Sequence, residues 1–124
     1  MSDAYDRIGA ARLEAVIADF VGRMARDPMI GFFFARVDLA RLEARERELA
    51  ATFLGAPGVV YEGRALRDAH SAHRIFGGQF DRRRELLRQV LVAHEVPEDV
   101  QTAWLAHVES LRAEITADAA GACR

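Results

Sequence analysis

The sequence contains no lysine at all and only one cysteine in its 124 residues. All 17 basic residues are arginine, so reactions that need a lysine amine, such as Schiff-base catalysis, are excluded. The single cysteine, Cys123, stands next to the carboxyl end and supports neither a disulfide framework nor a thiolate metal cluster. Neither covalent lysine chemistry nor a cysteine-based scaffold therefore remains as an interpretation of this chain.

Long apolar runs, strand signals and a strong net charge are also missing. No apolar run reaches the roughly 18 residues of a membrane span, and the opening stretch MSDAYDRIG lacks the apolar core of a signal peptide. The formal net charge of −2 gives no general attraction to nucleic acid or acidic membranes. β-branched residues are sparse and do not alternate with polar ones. We therefore expect a cytoplasmic, all-α protein that contacts neither nucleic acid nor membrane.

The chain is long enough for one domain with one core, and it has no repeat or linker that would divide residues 1–124. Apolar periodicity predicts about six helices. The predicted segments are 11–26, a short turn-like helix through the phenylalanines at 32–34, 39–54, 64–72, 79–93 and a last helix opened by Pro97 that carries Val100 to Ile115 on one side. Asp38 is the predicted N-cap of the third segment, and Gly77-Gly78 the predicted break before the fifth.

Two charged side chains interrupt the apolar faces of predicted helices. The faces consist of Leu39, Leu42, Leu49 and Phe53 on the helix at 39–54, and of Phe80, Leu87, Val90 and Leu91 on the helix at 79–93. At about 100° per residue, Glu46 points into the first face and Arg83 into the second. Since a lone buried charge costs several kcal/mol, one interpretation is that the two meet as an ion pair. The alternative is that each side chain extends past the apolar surface into water.

A histidine, His70, stands between apolar helices and opposite the phenylalanine run. An all-helical protein holds a haem in this way, because the iron needs one strong nitrogen donor and the porphyrin needs flat apolar walls. On spacing alone, a half-buried helix histidine without a ligand explains His70 equally well. His73 would share its helix face, whereas we expect solvation for His94 and His107. The chain shows no tight His/carboxylate cluster of the kind that zinc requires.

A series of landmarks along the chain resembles the truncated haemoglobins, small bacterial globins with a two-over-two helical sandwich. The landmarks are Tyr5-Asp6-Arg7-Ile8-Gly9, Asp19-Phe20, Asp27-Pro28, Phe33-Phe34, Leu54-Gly55, Tyr61-Glu62-Gly63, Leu66, His70, Ile75 and Phe80. They occur in the family's order over nearly the whole chain, so the resemblance depends on the set and not on any single motif. It implies a globin-like two-over-two sandwich.

The resemblance also implies haem b, which is iron protoporphyrin IX, with His70 as the proximal ligand of the iron. The spacings from Leu66 to the histidine and from the histidine to Ile75 fit His70 and not His73. The full set of implied cofactor contacts is Phe33, Phe34, Leu42, Arg45, Leu66, His70, Arg74, Ile75 and Phe80. Within that set, Arg45 or Arg74 would pair with a haem propionate.

The chain departs from the family's pattern on the distal side of the expected haem. Family members commonly place a tyrosine where this chain has Val21, and some place a histidine where it has Leu42. Because these usual donors are missing, Glu46 and Arg83 are the candidates for touching a bound ligand.

Three functional interpretations stay open. The first is a globin that reversibly binds O₂, NO or CO. The second is a haem enzyme, either an NO dioxygenase or a peroxidase-like enzyme in which Glu46 and Arg83 are catalytic and act on peroxide. In that case an electron-donating reductase is a candidate partner. The third is a ligand sensor or a haem-poor module.

Overall fold

The structure is a computed structural model in which residues 3–59 and 75–116 are described. Within these ranges it contains six α-helices, one 3₁₀ helix and no strand. The α-helices are α1 (Ala4–Ile8), α2 (Ala10–Arg26), α3 (Leu39–Phe53), α4 (Gly77–Ala93), α5 (Glu98–Ser110) and α6 (Arg112–Ile115), and the 3₁₀ helix is Gly31–Phe34. The prediction of an all-α domain with about six helices is confirmed. The predicted helix at 64–72, with Leu66, His70, His73 and the adjacent Arg74, lies outside the described residues.

Two helix pairs make up the sandwich. Helix α2 packs on α3, α4 packs on α5, and α2 also crosses α4, so that α2 and α4 are the centre of the molecule. Their inner faces carry the largest fully buried side chains, among them Phe20, Leu13, Phe80 and Leu87. This arrangement matches the predicted two-over-two sandwich. None of the described helices is long and apolar enough to cross a membrane.

Asp27 fastens the end of α2 to α4. Its carboxylate accepts from the backbone N–H groups of Met29 and Ile30 at 3.0 and 3.2 Å and from the Arg82 guanidinium at 2.8 and 2.9 Å. The Arg82 hydrogen bond holds the pKa of Asp27 below its ordinary value although burial opposes this shift. The next turn then runs close to α2, since a Cβ on Gly31 would stand 2.8 Å from the carbonyl oxygen of Ala25.

Helices α2 and α3 match their predicted bounds to within one residue, and two other boundaries differ more. Helix α4 begins at Gly77, not at 79, so Gly77 and Gly78 form part of its first turn. The start of the helix is stabilised by the Gln79 side chain, which accepts from the Phe76 N–H at 2.9 Å. The predicted last helix is interrupted at Leu111, which has φ −92° and ψ −2° and separates α5 from α6. The other prominent boundary is confirmed, since Asp38 caps α3 by accepting from the Arg41 N–H at 3.2 Å.

Helix α3 faces the core through its predicted stripe, but this stripe is less buried than expected. Its buried residues are Ala50 and Ala51, whereas Leu42, Leu49 and Phe53 of the predicted stripe are half-buried and Leu39 is 38% exposed. Every side chain from Leu42 to Leu49 is half-buried. Helix α3 therefore presents a long, partly covered face beside the core.

Candidate functional site

A cavity of about 310 Å³ lies among helices α2, α3, α4, α5 and α6. Most of its lining is apolar. The described side chains on its wall are Ile17, Phe20, Glu46, Leu49, Ala50, Thr52, Phe53, Arg83, Leu87, Trp104, His107, Val108, Leu111 and Ile115. The few polar groups on this wall therefore decide what chemistry the cavity can perform.

The charged groups on the wall form one ion pair. Arg83 donates from Nη2 to both carboxylate oxygens of Glu46, at 3.0 and 3.1 Å, although the residues lie 37 positions apart. Their side chains are 22% and 19% exposed, and the guanidinium carbon lies 5.0 Å from the centre of the Phe20 ring. The prediction that Glu46 and Arg83 meet is confirmed, and the alternative that each reaches water separately is wrong.

The pair leaves donor capacity on Arg83. A guanidinium has five N–H donors, and among the described residues only Nη2 of Arg83 makes hydrogen bonds, both of them to Glu46. Nε and Nη1 therefore remain able to donate to a molecule in the cavity. The hydrogen bonds to Glu46 fix the orientation of the Arg83 guanidinium, so these donors are held in place before a ligand arrives.

His107 is a cavity residue that the sequence reasoning missed. Its ring stacks on Phe53 with 4.2 Å between ring centres and an interplanar angle of 10°. Burial lowers the pKa of His107 from its ordinary value of 6.5, and no charge or hydrogen bond from the described residues counters this effect. The expectation of simple solvation is thus wrong. The missed signal was position, because residue 107 follows Trp104 by three and precedes Leu111 by four on the inner face of α5.

His94 is also not simply solvated. Its Nε2 lies 2.9 Å from Oδ2 of Asp19, and the other carboxylate oxygen, Oδ1, accepts from Nε of Arg23 at 2.9 Å. Burial raises the pKa of Asp19, but the hydrogen bonds from Arg23 and His94 outweigh it and the pKa falls below its ordinary value. This cluster ties the end of α4 to α2 and lies apart from the described wall of the cavity.

None of the predicted cofactor contacts that the structure describes lines this cavity. Phe33, Phe34, Leu42 and Ile75 are partly buried and pack against the core. Phe80 is 1% exposed and lies beneath the Arg112 guanidinium, whose carbon is 4.5 Å from the ring centre. Leu66, His70 and Arg74 cannot be placed because they fall in residues 60–74, outside the described ranges.

Arg45 stands on the partly covered face of α3, and its Nη1 donates to Glu48 at 2.7 Å. A propionate at this point would have to compete with Glu48 for the guanidinium. Pairing of Arg45 with a propionate remains a prediction.

The residues present fit a haem at the face of α3. A haem needs flat apolar walls, a cation for its propionates and one nitrogen ligand. Leu42 and Phe34 supply half-buried apolar surface, and Arg45 supplies the cation. Of the four histidines, the two in the described ranges are engaged with Asp19 or stacked on Phe53. His70 and His73 lie outside the described residues, so the identity of the iron ligand stays a prediction.

Comparisons with known proteins agree with this geometry. The sequence profile of the family described as Bacterial-like globin matches residues 3–117. The group 1 truncated hemoglobin GlbN of Synechocystis sp. is 31% identical over 105 residues, which is 81% of this chain and 84% of that protein.

Two solved structures share the fold. The truncated hemoglobin of Tetrahymena pyriformis in its Fe(III) form superposes with a TM-score of 0.82 at 23% identity and covers 91% of this chain and 97% of its own. Chlamydomonas reinhardtii THB1 gives a TM-score of 0.73 at 28% identity, over 90% of this chain and 94% of its own. The 28% identity with THB1 and the 31% identity with GlbN extend the similarity from the fold to the amino-acid sequence.

Proposed function

Because the chain belongs to the family of bacterial-like globins, we propose that it binds one haem b through His70 and reversibly binds a diatomic ligand such as O₂, NO or CO. When bound, haem supplies an iron with an open coordination position for such a ligand. The spacing of His70 from Leu66 and Ile75 supports it as the iron ligand over His73.

The observation that carries the proposal is the Glu46–Arg83 pair on the wall of a largely apolar cavity. Arg83 would donate through Nε or Nη1 to a bound diatomic ligand, and its hydrogen bonds to Glu46 would keep the guanidinium from turning away. The pair replaces the distal donors that Val21 and Leu42 cannot supply. In a partly desolvated cavity such a charge-assisted hydrogen bond is stronger than it would be in water.

The remaining residues hold the cofactor. Phe34 and Leu42 would pack on the distal side, Leu66, Ile75 and Phe80 would pack on the proximal side and edges, and Phe33 would be a further contact. Arg45 or Arg74 would pair with a propionate. Because the Phe80 ring is fully buried, Phe80 would support the haem edge indirectly, by packing in the core.

Ligand dissociation rates test the role of the pair. We expect Glu46→Gln and Arg83→Leu each to change the off-rate of O₂ or CO by about tenfold or more, the scale of one charge-assisted hydrogen bond. Glu85→Gln, which alters an exposed ion pair with Arg88, is the matched control and leaves the off-rate unchanged. Parent-like off-rates in both cavity variants would contradict a role in ligand binding.

A peroxidase-like haem enzyme is the second candidate, and the same ion pair supports it. The carboxylate of Glu46 can accept a proton from a peroxide, and Arg83 can stabilise the negative charge that develops on the leaving oxygen. Rapid peroxide-dependent oxidation of a reducing dye, lost in Glu46→Gln, would favour the enzyme. Dye oxidation no faster than with free haem would leave the reversible binder as the function.

A further inference from the structure

The cavity is larger than a diatomic ligand requires. An apolar cavity of about 150 Å³ is enough to bind benzene, and this one measures about 310 Å³. Its volume falls at the lower end of the range typical of sites for organic molecules. The space beside the ion pair therefore accommodates a single aromatic ring with a small substituent.

The shape of the wall suits a flat molecule. Phe20, Phe53 and Trp104 contribute aromatic surfaces, and the His107 imidazole lies nearly parallel to the Phe53 ring. Aromatic rings favour offset or edge-to-face contact with other rings, beyond the apolar area they bury. The apolar part of a ligand in this cavity is thus best supplied by an aromatic ring.

The polar end selects the ligand's functional group. Glu46 and Arg83 together carry no net charge, so attraction by one partner and repulsion by the other largely cancel for a carboxylate or an ammonium group. Glu46 accepts hydrogen bonds, whereas the remaining N–H groups of Arg83 donate them. A hydroxyl group does both at once and remains neutral.

We propose that this cavity is a binding site for a small aromatic alcohol of the phenol class, with the ring against Phe53 and Trp104 and the hydroxyl on the Glu46–Arg83 pair. Binding of the phenol does not require a ligand on the iron, so the proposal applies whether the protein is a diatomic binder or an enzyme. In a peroxidase-like enzyme, such a phenol is the reducing substrate.

Isothermal titration calorimetry of the purified holoprotein with p-cresol and toluene tests the proposal. These two probes differ only in the hydroxyl group, which in p-cresol is neutral at pH 7. We expect p-cresol to bind at least about tenfold more tightly than toluene, the scale of a hydrogen bond to a charged group. The double variant Glu46→Leu/Arg83→Met, which leaves no unpaired charge, should bind toluene and lose the preference for p-cresol.

Two variants locate the binding. Ala50→Phe on α3 and Val108→Phe on α5 fill the cavity from two different helices, and whichever of them keeps the parent's circular dichroism should bind neither probe. Glu85→Gln, outside the cavity, should bind p-cresol like the parent. Equal affinity for the two probes, no detectable heat with either, or unchanged p-cresol binding in a folded filled variant would overturn the proposal. The haem absorption spectrum, recorded in parallel, reports separately on the proposed function.

Discussion

The two described histidines illustrate how partners decide a residue's role. His94 lies against the Asp19 carboxylate, so its charged form has a counter-ion, whereas His107 is stacked on Phe53 and faces the cavity. Burial favours the neutral form of the second ring, and an uncharged imidazole is the form compatible with an apolar wall.

The lowered pKa of His107 predicts a loss of stability in acid. The unfolded chain takes up this proton at a higher pH than the folded chain does, so folding weakens as the pH falls through 6.5 toward the lower folded value. We expect His107→Leu to reduce the fall in free energy of unfolding between about pH 7 and pH 5, measured by urea denaturation. Thr102→Ala, an exposed change on the same helix, should keep the parent's pH dependence. A parent-like slope in His107→Leu would contradict the burial of this ring.

The Glu46–Arg83 pair should behave as one unit in stability as well. Each single replacement, Glu46→Gln or Arg83→Leu, leaves a half-buried partner uncompensated and should destabilise the fold by about 1–3 kcal/mol. The double variant should be more stable than the sum of the two losses predicts, with a coupling of about 1 kcal/mol or more in urea denaturation. Strictly additive losses would mean that the two side chains act independently.

At the scale of single residues, the contact between Glu46 and Arg83 could be predicted from the sequence, because each charge interrupts an apolar stripe and a buried charge requires a partner. It did not allow the role of His107 to be predicted. A histidine fits either a surface or a wall, and only the packing of Phe53 against it decides between them.

Among the elements, the predicted apolar stripes of α2 and α4 are fully buried, whereas the stripe of α3 is only partly buried. The inner faces of α2 and α4 consist of large apolar residues, and these are the buried ones. In α3 the buried residues are the small Ala50 and Ala51, which periodicity of large side chains does not reveal. Similarly, no glycine or proline marks the interruption at Leu111, so sequence punctuation could not predict it.

Among the described connections between helices, the one between α2 and the 3₁₀ helix should be the most sensitive to mutation. Asp27→Ala removes a carboxylate whose side chain is 2% exposed, and leaves Arg82 and two backbone N–H groups without their acceptor. We expect a loss of about 3 kcal/mol in the free energy of unfolding. Arg88→Ala, which breaks an exposed pair, should cost less than about 1 kcal/mol. Similar losses in the two variants would show that Asp27 is not a fastening point.

For the molecule as a whole, the order of landmarks carried more information than any local motif. It predicted the two-over-two sandwich, which depends on long-range pairing of helices that local patterns do not specify. The partly covered face of α3 is consistent with a fold that is completed by a cofactor, since a small domain has little apolar surface to spare.

Haem should therefore contribute a large part of the stability. A ligand present at about a thousand times its dissociation constant adds about 4 kcal/mol to the free energy of unfolding. We expect apoprotein from acid extraction to melt about 10 °C or more below the holoprotein, measured by circular dichroism. Equal melting temperatures would mean that side chains already fill the pocket and that haem is incidental.

The most direct test of the central claim is the absorption spectrum of the ferric, ferrous and CO-bound protein, recorded for the parent, His70→Ala and His73→Ala. We predict one haem per chain in the parent, a nearly unchanged spectrum in His73→Ala, and loss or gross weakening of haem binding in His70→Ala. The reverse pattern would move the iron ligand to His73. A parent without a haem spectrum would contradict the account altogether.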